Sequence, residues 1–408
     1  MSRYKPYPKY KDSGVEWLGE IPEHWKIKKF KYLFEIKKRI AGKLGFNILS
    51  ITQQGIKIKD IESGEGQLSS DYTKYQYVYK GDFAMNHMDL LTGFVDLSKY
   101  NGVTSPDYRV FSLTENKADA YYYLFLLQMG YMNKIFYPLG QGSSQFGRWR
   151  LPSDAFKEFL APFPPYQEQI MIADFLDKQI AKLNILVNKQ KKLIELLKEK
   201  RQVKVDLAIK DTQTQFKHLK YVVKQIFRPV NRVSNTEYEA LGLYNRGRGL
   251  FHKPLKTEDE LGDSDFYWVK EGDLILSGQF AWEGAVALAS SDENSCIVSH
   301  RYPIIRGENN ILDTEYLWAY LTTKEGDFLL NENSIGSAGR NRPLNMNTLM
   351  KEKIPVPSMK LQKEVATIVK MEAKIKKSIA TSISLLKERR NSLISAVVTG
   401  KIDVRFNK

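Results

Sequence analysis

The clearest hydrophobic pattern in this chain is a pair of segments in which apolar residues recur at coiled-coil spacing. In the first segment the steps alternate between four and three, with one polar break at Gln190, through Leu176, Ile180, Leu183, Val187, Ile194 and Leu197. The second segment repeats the pattern in Ile368, Ile375, Ile379, Ile383, Leu386 and Leu393. This spacing predicts two long helices, each with an apolar seam along one face. Lysines and arginines flank both seams, as is usual for a solvated helix face.

The segments that lead into these helices also repeat each other. Three residues recur at a constant offset of 193 positions, Leu151, Pro162 and Pro164 against Leu344, Pro355 and Pro357. Beyond two extra residues, Gln167-Glu168-Gln169 aligns with Gln362-Lys363-Glu364. A period this long indicates a duplicated domain, since solenoid repeats are about 20–50 residues long. Two copies of one unit pair most simply about a pseudo-two-fold axis, which predicts antiparallel helices. The alternative is that each seam packs only on its own half.

The regions before the helices are typical of mixed α/β domains. Stretches such as "FNILSITQQGIKIKD" and "YRVFSL" alternate like strands, with glycine and aspartate turns between them. "ADAYYYLFLLQMGYM" and "DTEYLWAYLTTKEGDF" are predicted to be matching helices whose aromatic residues belong to the core rather than to base-stacking platforms. The sequence therefore predicts an internally duplicated α+β fold, with mixed domains at 12–160 and 213–355 and long helical segments at 161–212 and 356–402.

The charge of the chain favours a polyanionic partner. The sequence contains 62 Lys+Arg against 47 Asp+Glu, a formal net charge of +15, which favours nucleic acid over a membrane surface. Excess charge that only maintains solubility is the alternative. Cys296 is the single cysteine, which excludes an internal disulfide, and its apolar surroundings predict a small core residue. No apolar run is long enough for a membrane span or a signal peptide, so we expect a cytoplasmic protein.

Polar, glycine-rich loops are the candidate DNA-reading segments. Their amide, guanidinium and hydroxyl groups suit base edges and phosphates, although loops are polar in any protein. In the first half the candidates are Gln53, Gln54, Lys57, Asn86, His87, Gln141, Ser143, Ser144, Gln145 and Arg148. In the second half they are Asn245, Arg246, Arg248, Gln279, Trp282, Ser337, Arg340, Asn341 and Arg342.

Motifs for catalysis are almost absent. Phe163-Pro164-Pro165-Tyr166 approaches the Asn/Asp-Pro-Pro-Tyr/Phe of DNA amino-methyltransferases, but Phe163 has no side-chain acceptor for the target amine and the second half lacks the motif. Pro106-Asp107 with Glu115-Asn116-Lys117 fits a metal-nuclease pattern, yet its acids have no counterpart in the second copy. The five histidines form no HExxH and have no cysteine at zinc spacing. We therefore expect no catalytic residue and no metal ligand.

These features together resemble the specificity subunit (HsdS family) of type I restriction-modification systems. The resemblance covers essentially the whole chain and is carried by the opening "YKDSGVEWLGEIPEHWKIKKFKYLFE", by the strand exits "LAPFPPYQEQ" and "KIPVPSMKLQKE" with their heptad helices, and by the duplication. It implies two target-recognition domains, each reading half of a split site in double-stranded DNA, separated by two antiparallel spacer helices. The changed second strand exit and the shorter second helix depart from a symmetric pattern.

The resemblance also implies which partners perform the chemistry. Two methyltransferase subunits dock on this core, and motor-nuclease subunits join the full complex. AdoMet, ATP and Mg²⁺ are expected only in those partners, with no cofactor in this chain and no membrane partner. The alternatives are a stand-alone adenine methyltransferase or nuclease with a degenerate motif, and a scaffold that never contacts DNA.

Overall fold

Two compact units make up the chain. The computed structural model describes residues 4–60, 72–142, 149–336 and 342–406. Unit 1 comprises Met1–Val187 with Ser382–Lys408, and unit 2 comprises Asn188–Thr381. Unit 1 therefore contains both ends of the chain, and each of the two long helices contributes one part of its length to each unit.

Unit 1 contains twelve short strands among its described residues. They are β1 (Tyr10–Asp12), β2 (Glu20–Pro22), β3 (Lys26–Lys29), β4 (Phe34–Lys37), β5 (Leu49–Thr52), β6 (Gly55–Ile58), β7 (Gln76–Val78), β8 (Phe83–Met85), β9 (Val95–Leu97), β10 (Gly102–Thr104), β11 (Arg109–Leu113) and β12 (Leu160–Phe163). Its helices are α1 (Ala120–Met132), α2 (Ser153–Glu158), the first part of α3 (Tyr166–Ile209) and the last part of α7 (Met359–Val398).

Unit 2 has the same number of strands in its described part. They are β13 (Gln215–His218), β14 (Val223–Gln225), β15 (Glu237–Tyr238), β16 (Leu241–Leu243), β17 (Leu250–His252), β18 (Lys256–Thr257), β19 (Phe266–Trp268), β20 (Leu274–Leu276), β21 (Val286–Leu288), β22 (Ile297–Ser299), β23 (Ile304–Gly307) and β24 (Lys353–Val356). Its helices are the last part of α3, α4 (Thr314–Leu321), α5 (Lys324–Glu332), α6 (Met346–Leu349) and the first part of α7.

The sheets confirm the duplication. The four-stranded sheet has the order β4-β11-β8-β9 in unit 1 and β14-β23-β20-β21 in unit 2. The strand that precedes each long helix pairs in both units with the strand that opens the domain, β12 with β3 and β24 with β13. All of these pairs are antiparallel. The fold is therefore a duplicated α+β fold, as the sequence predicts.

The aromatic helices belong to the core. Tyr122 and Tyr123 of α1 are fully buried against the sheet of unit 1, and Tyr316 of α4 is fully buried in unit 2. Each unit also uses a tyrosine to tie this helix to the strand before the long helix. The Tyr123 hydroxyl donates to the Pro162 carbonyl at 3.2 Å, and the Tyr316 hydroxyl donates to the equivalent Pro355 carbonyl at 3.1 Å. The prediction of core residues rather than stacking platforms is right for these tyrosines.

Glutamine side chains fix the start of each long helix and correct the sequence alignment. Gln169 accepts a hydrogen bond from the Asp119 amide at 2.8 Å, and Gln362 accepts one from the Asp313 amide at 2.7 Å. The offset between these glutamines is again 193, with no extra residues. The expected match of Gln167 with Gln362 across a two-residue insertion is therefore wrong, because the shared structural role identifies Gln169 as the equivalent position.

The long helices run in opposite directions within unit 2. Arg201 of α3 pairs with Glu372 of α7 at 2.6 Å, and Lys204, one turn further along α3, pairs with Glu364, two turns earlier in α7. In unit 1, residues of both helices belong to one core: Ile172, Leu176 and Ile180 of α3 with Leu393, Ile394 and Val397 of α7. The two helices therefore pack together within each unit, and the alternative of a seam that packs only on its own half is not observed.

Both helices extend beyond the last residues of their predicted apolar seams, Leu197 and Leu393. Helix α3 continues to Ile209 and α7 continues to Val398, so α3 is still the longer, with 44 residues against 40. The buried face continues past the predicted seam through Arg201, Val205 and Ala208. The predicted seam stops at Leu197 because Arg201 interrupts the apolar pattern, whereas in the structure Arg201 is buried and pairs with Glu372 of α7.

The opening segment of the chain packs on the beginning of α3. Glu168, which is buried, accepts hydrogen bonds from the Tyr7 hydroxyl and from Trp25 Nε1, the latter at 2.9 Å. His24 Nε2 lies 2.8 Å from the same carboxylate. Two of the motifs that carry the family resemblance, the opening and the first strand exit, therefore meet in one buried polar cluster.

Candidate DNA interface

In unit 2, four of the predicted DNA-binding residues surround one surface concavity. Asn245, Arg246 and Arg248 lie in the loop between β16 and β17, and Trp282 lies in the 3-10 turn that follows β20. The concavity has a volume of about 690 Å³, and its remaining lining residues are Glu283 and Asp327. Arg246 and Arg248 are exposed, and Arg248 Nε donates to the Asn245 carbonyl at 3.0 Å.

The backbone of this loop is held in place while its arginine side chains remain accessible. The Arg246 amide donates to the Glu283 carbonyl at 2.8 Å, and the Gly247 amide donates to the Gly284 carbonyl at 2.7 Å. Arg246 itself has a φ of 59°, a left-handed conformation that is uncommon for residues other than glycine. Such strain is often found at ligand-binding loops, where the surrounding contacts maintain it.

Two further predicted residues of unit 2 lie beside Trp282. Its indole Nε1 donates to the Gln279 carbonyl at 3.1 Å, and the Arg342 guanidinium lies over its ring at 5.3 Å. Arg342 Nε also donates to the Ser334 carbonyl at 3.1 Å. Arg342 is therefore engaged within the protein, while the exposed Gln279 side chain is accessible to solvent.

In unit 1 the equivalent hairpin presents amide and ammonium groups. Gln53 and Gln54 form the turn between β5 and β6, and both side chains are exposed. Gln53 Nε2 donates to the Thr92 carbonyl at 3.3 Å, and the Lys57 ammonium donates to Gln54 Oε1 at 2.5 Å. The hairpin tip therefore lies against the loop that follows β8.

A partly buried polar cluster follows β8 in unit 1. Asn86 Oδ1, His87 Nδ1 and Arg109 Nη1 are buried, and none has a hydrogen-bond partner among the described residues. Burial, together with the positive charges of Arg109 and Arg150, lowers the pKa of His87 to about 4. Buried polar atoms are usually hydrogen-bonded, and leaving them unpaired costs free energy. These three unpaired atoms therefore mark a position that could bind a polar ligand. Arg109 could not be predicted as part of this cluster, because its position inside the strand pattern of "YRVFSL" indicates a structural residue.

Each unit brings three equivalent segments together at the end of one central strand of its four-stranded sheet. This strand is β8 in unit 1 and β20 in unit 2. The hairpin tip contacts the loop after that strand in both units, through Gln53 to Thr92 and through Arg246 to Glu283. A returning segment then docks on the second residue after the strand. The Leu151 amide donates to the His87 carbonyl, and the Leu344 amide, 193 positions later, donates to the Gly278 carbonyl, both at 2.9 Å. The predicted residues of both halves thus occupy the same topological site.

Not all of the predicted residues can be placed. Gln141 is exposed and exchanges two backbone hydrogen bonds with Arg150, at 2.8 and 3.0 Å, which closes the base of the loop between them. Seven predicted residues lie outside the described part of the chain: Ser143, Ser144, Gln145, Arg148, Ser337, Arg340 and Asn341.

The motifs that approached enzyme signatures have structural roles. Phe163 ends β12 and Tyr166 begins α3, so the Pro-Pro pair connects a strand to a helix. Glu115 forms an ion pair with Lys28, and the Lys117 carbonyl accepts a hydrogen bond from Gln169. Asp107 is exposed in a turn. No cluster of three potential metal ligands among the described residues includes Asp107 or Glu115.

One histidine does meet the cysteine. His252 Nδ1 lies 4.0 Å from Cys296 Sγ, although 44 residues separate them in the chain. Cys296 is buried, as predicted, but its thiol contacts polar side chains. Linear zinc spacing could not reveal this pair, because adjacent strands bring the residues together.

In the part of the chain that the structure describes, no helix is both long enough and apolar enough to cross a membrane.

Comparison with known proteins assigns both halves to one family. The family described as the type I restriction modification DNA specificity domain matches residues 22–196 and again residues 210–385. A protein named as the MjaX specificity subunit of a type I restriction enzyme, from Methanocaldococcus jannaschii, is 25% identical over 197 residues, which are 43% of this chain and 45% of that protein. The match therefore spans about half the length of that relative.

One solved structure supports the fold, and two others show weaker similarity. A chain from a study of complex assembly and conformational transition in the type I restriction-modification system has a TM-score of 0.52 at 14% identity, over 93% of this chain and 98% of that one. The S subunit from M. genitalium has a TM-score of 0.47 at 15% identity, over 92% and 96% of the two chains. The HsdS subunit from Thermoanaerobacter tengcongensis has a TM-score of 0.45 at 14% identity, over 94% and 98%. The specificity domain matches once in each half and together the two matches cover most of this chain. The chain therefore belongs to the family of type I restriction-modification specificity subunits, as its sequence resemblance predicts.

Proposed function

We propose that this subunit binds a bipartite double-stranded DNA target, with unit 1 reading one half-site and unit 2 the other. The observation that carries the proposal is the repeated three-segment site at the end of the central strand. Each copy exposes side chains that can bond base edges, namely Gln53 and Gln54 in unit 1 and Arg246 and Arg248 in unit 2. Glutamine suits adenine and arginine suits guanine in the major groove, so the half-sites should differ in sequence.

The net charge of +15 supports the same proposal. Neutralising phosphates supplies most of the sequence-independent affinity of a DNA-binding protein, whereas base contacts supply its specificity. The two arginines exposed at the unit 2 loop can serve either purpose, because a guanidinium binds both phosphate and guanine. A scaffold that never contacts DNA would have no use for this combination of charge and exposed loop arginines.

The chain acts without catalytic groups of its own in this proposal. Two methyltransferase subunits and the motor-nuclease subunits assemble on it, and AdoMet, ATP and Mg²⁺ are used by those partners. The antiparallel helices α3 and α7 serve as the spacer and as a docking platform. Purified chain incubated with AdoMet or with Mg²⁺ should neither methylate nor cleave DNA, and activity that copurifies with homogeneous chain would contradict this assignment.

Single-loop variants test the division of labour between the units. The partner methyltransferase is reconstituted with Arg246→Ala, with Gln53→Ala or with Lys360→Ala, and the methylated positions of a randomised DNA library are sequenced. Lys360→Ala is the control, because it removes one positive charge from an exposed site in the first turn of α7.

We expect Arg246→Ala to relax preference at one half-site by about 5–150-fold, the equivalent of the 1–3 kcal/mol that a bidentate base contact contributes. Gln53→Ala should act on the other half-site only. The control should leave both preferences unchanged. A single-loop variant that changed both half-sites would exclude independent reading by the two units.

A further inference from the structure

A group of metal-ligating side chains lies in unit 2 on residues that the proposed DNA contacts do not use. Glu239 follows β15, His252 ends β17, and Cys296 immediately precedes β22. His252 Nδ1 lies 3.0 Å from Glu239 Oε1, and Cys296 Sγ lies 3.5 Å from Glu239 Oε2 and 4.0 Å from His252 Nδ1. One potential ligand atom from each of the three residues lies within 4.8 Å of the other two.

We propose that Glu239, His252 and Cys296 form a zinc site that fixes the base of the β16–β17 hairpin. A thiolate, an imidazole and a carboxylate are the three ligand types that proteins use for Zn²⁺. With zinc–ligand distances of about 2.0–2.3 Å, tetrahedral ligand atoms lie about 3.3–3.6 Å apart. The ligand atoms lie within 4.8 Å of one another, so side-chain movements of about 1 Å would bring them to these separations.

Glu293 completes the arrangement as a supporting residue. Its Oε1 lies 3.7 Å from His252 Nε2, on the ring nitrogen opposite the proposed metal-binding nitrogen. Its Oε2 accepts hydrogen bonds from the Ser290 amide and hydroxyl, both at 2.7 Å, which fix the orientation of the carboxylate. Histidines that bind zinc usually direct their second nitrogen to such a carboxylate, which sets the tautomer and the ring orientation.

The charges of the cluster are not balanced by basic side chains. Among the described residues, neither Glu239 nor Glu293 forms an ion pair with a lysine or an arginine, and His252 is the basic group near both. A dication supplies the missing positive charge. The competing explanation is a metal-free arrangement in which His252 lies between the two carboxylates and Cys296 is a weak hydrogen-bond donor.

The strands hold the three ligands in place without a metal. The Ile297 amide donates to the Glu239 carbonyl at 2.9 Å, and His252 pairs with Leu241 across the β16–β17 ladder. These backbone contacts position all three side chains from separate chain segments. Zinc would therefore join the hairpin that carries Arg246 and Arg248 to the neighbouring strand β22.

Metal titration of the full chain tests this site. The chain is treated with chelator, desalted and titrated with Co²⁺ and then with Zn²⁺. Because Cys296 is the single cysteine, any thiolate-to-cobalt charge-transfer band must come from this residue. We expect one Co²⁺ per chain, a charge-transfer band, and loss of that band when Zn²⁺ displaces the cobalt.

Variants separate the ligands from their surroundings. Cys296→Ser should abolish the band, Glu239→Gln and His252→Gln should weaken zinc affinity strongly, and Glu293→Gln should weaken it by about 10–100-fold. His300→Gln, an exposed histidine of the same unit, is the matched control and should have no effect. Zinc should also slow alkylation of Cys296 in the unmodified chain, which needs no variant. Absence of the band, or zinc binding that persists unchanged in Cys296→Ser, would overturn the site and favour the metal-free arrangement.

Discussion

Arg201 and Glu372 form a buried ion pair between the two long helices of unit 2. The guanidinium nitrogen lies 2.6 Å from the carboxylate, and the Arg201 guanidinium also lies over the Trp318 ring at 4.6 Å. Burial lowers the pKa of Arg201, while the Glu372 carboxylate opposes that shift. Since both side chains occupy the apolar seam, this pair specifies which turn of α3 lies beside which turn of α7.

Removing one member of this pair should destabilise unit 2 strongly. Glu372→Leu leaves a guanidinium buried without its carboxylate, which costs about 3–5 kcal/mol. The double variant Arg201→Met with Glu372→Leu should recover most of that loss, because an apolar pair of similar volume replaces the ions. Urea unfolding measures both.

The exposed pair of the same helices is the control. Lys204 and Glu364 lie 3.2 Å apart with side chains about 40% exposed, so Glu364→Ala should cost less than about 1 kcal/mol. If the two glutamate variants were equally destabilised, the buried pair would have no special role in the helix pairing.

The duplication could be predicted from the sequence, because prolines and leucines recur at a fixed offset where the same strand exit must form. The alignment of the two halves at the start of α3 and α7 could not be predicted from the sequence. Gln169 and Gln362 are equivalent through hydrogen bonds to residues about 50 positions earlier in the chain, and such long-range bonds leave no local pattern. The same limit hid the neighbours of Cys296, which come from other strands.

The two glutamines should have matched effects on stability. Each makes three hydrogen bonds at the start of its helix, and Gln169→Leu or Gln362→Leu leaves one amide and two carbonyls without that partner. At about 1–3 kcal/mol for each buried group left unpaired, we expect a loss of several kcal/mol in either variant. Gln167→Leu, an exposed neighbour, should have little effect. A large effect of Gln167→Leu alone would restore the alignment that the structure replaces.

His87 should make the protein less stable in mild acid. Its pKa in the folded chain is about 4, against an ordinary value of 6.5, so between these pH values the unfolded chain binds the extra proton. Stability from this residue is therefore present above pH 6.5 and is lost as the pH falls towards 4, by at most about 3 kcal/mol. Comparing urea unfolding at pH 7 and pH 4.5 measures the loss.

His87→Gln should remove that part of the pH dependence, because glutamine does not titrate. His300→Gln, at an exposed position, should leave it unchanged. An identical pH dependence in the unmodified chain and in His87→Gln would show that His87 is protonated as readily in the folded chain as in the unfolded one.

DNA binding should weaken steeply as salt increases. If about 6–10 phosphates are neutralised by lysine and arginine, affinity should fall by about 10³–10⁵ between 50 and 200 mM salt. The measurement needs the methyltransferase partner present, with that partner alone as the control for its own contacts. A response that does not depend on salt would show that the net charge of +15 has another purpose.

We propose that the two units read one DNA molecule and that α3 and α7 set the spacing between the half-sites. Tandem duplication of residues 184–187 in α3 adds four residues while preserving the step from Leu183 to the next seam position, and lengthens the helix by about 6 Å. That rise is close to two base pairs, so the unread gap, which we expect to be about five to eight base pairs, should lengthen by one or two.

Sequencing the sites methylated by the reconstituted complex, with and without this duplication, measures half-site sequence and gap length together. If α3 and α7 set the spacing, we expect a longer gap with both half-site sequences unchanged. Altered half-site sequences with an unchanged gap would contradict it, because the helices would then influence what is read and not how far apart it is read.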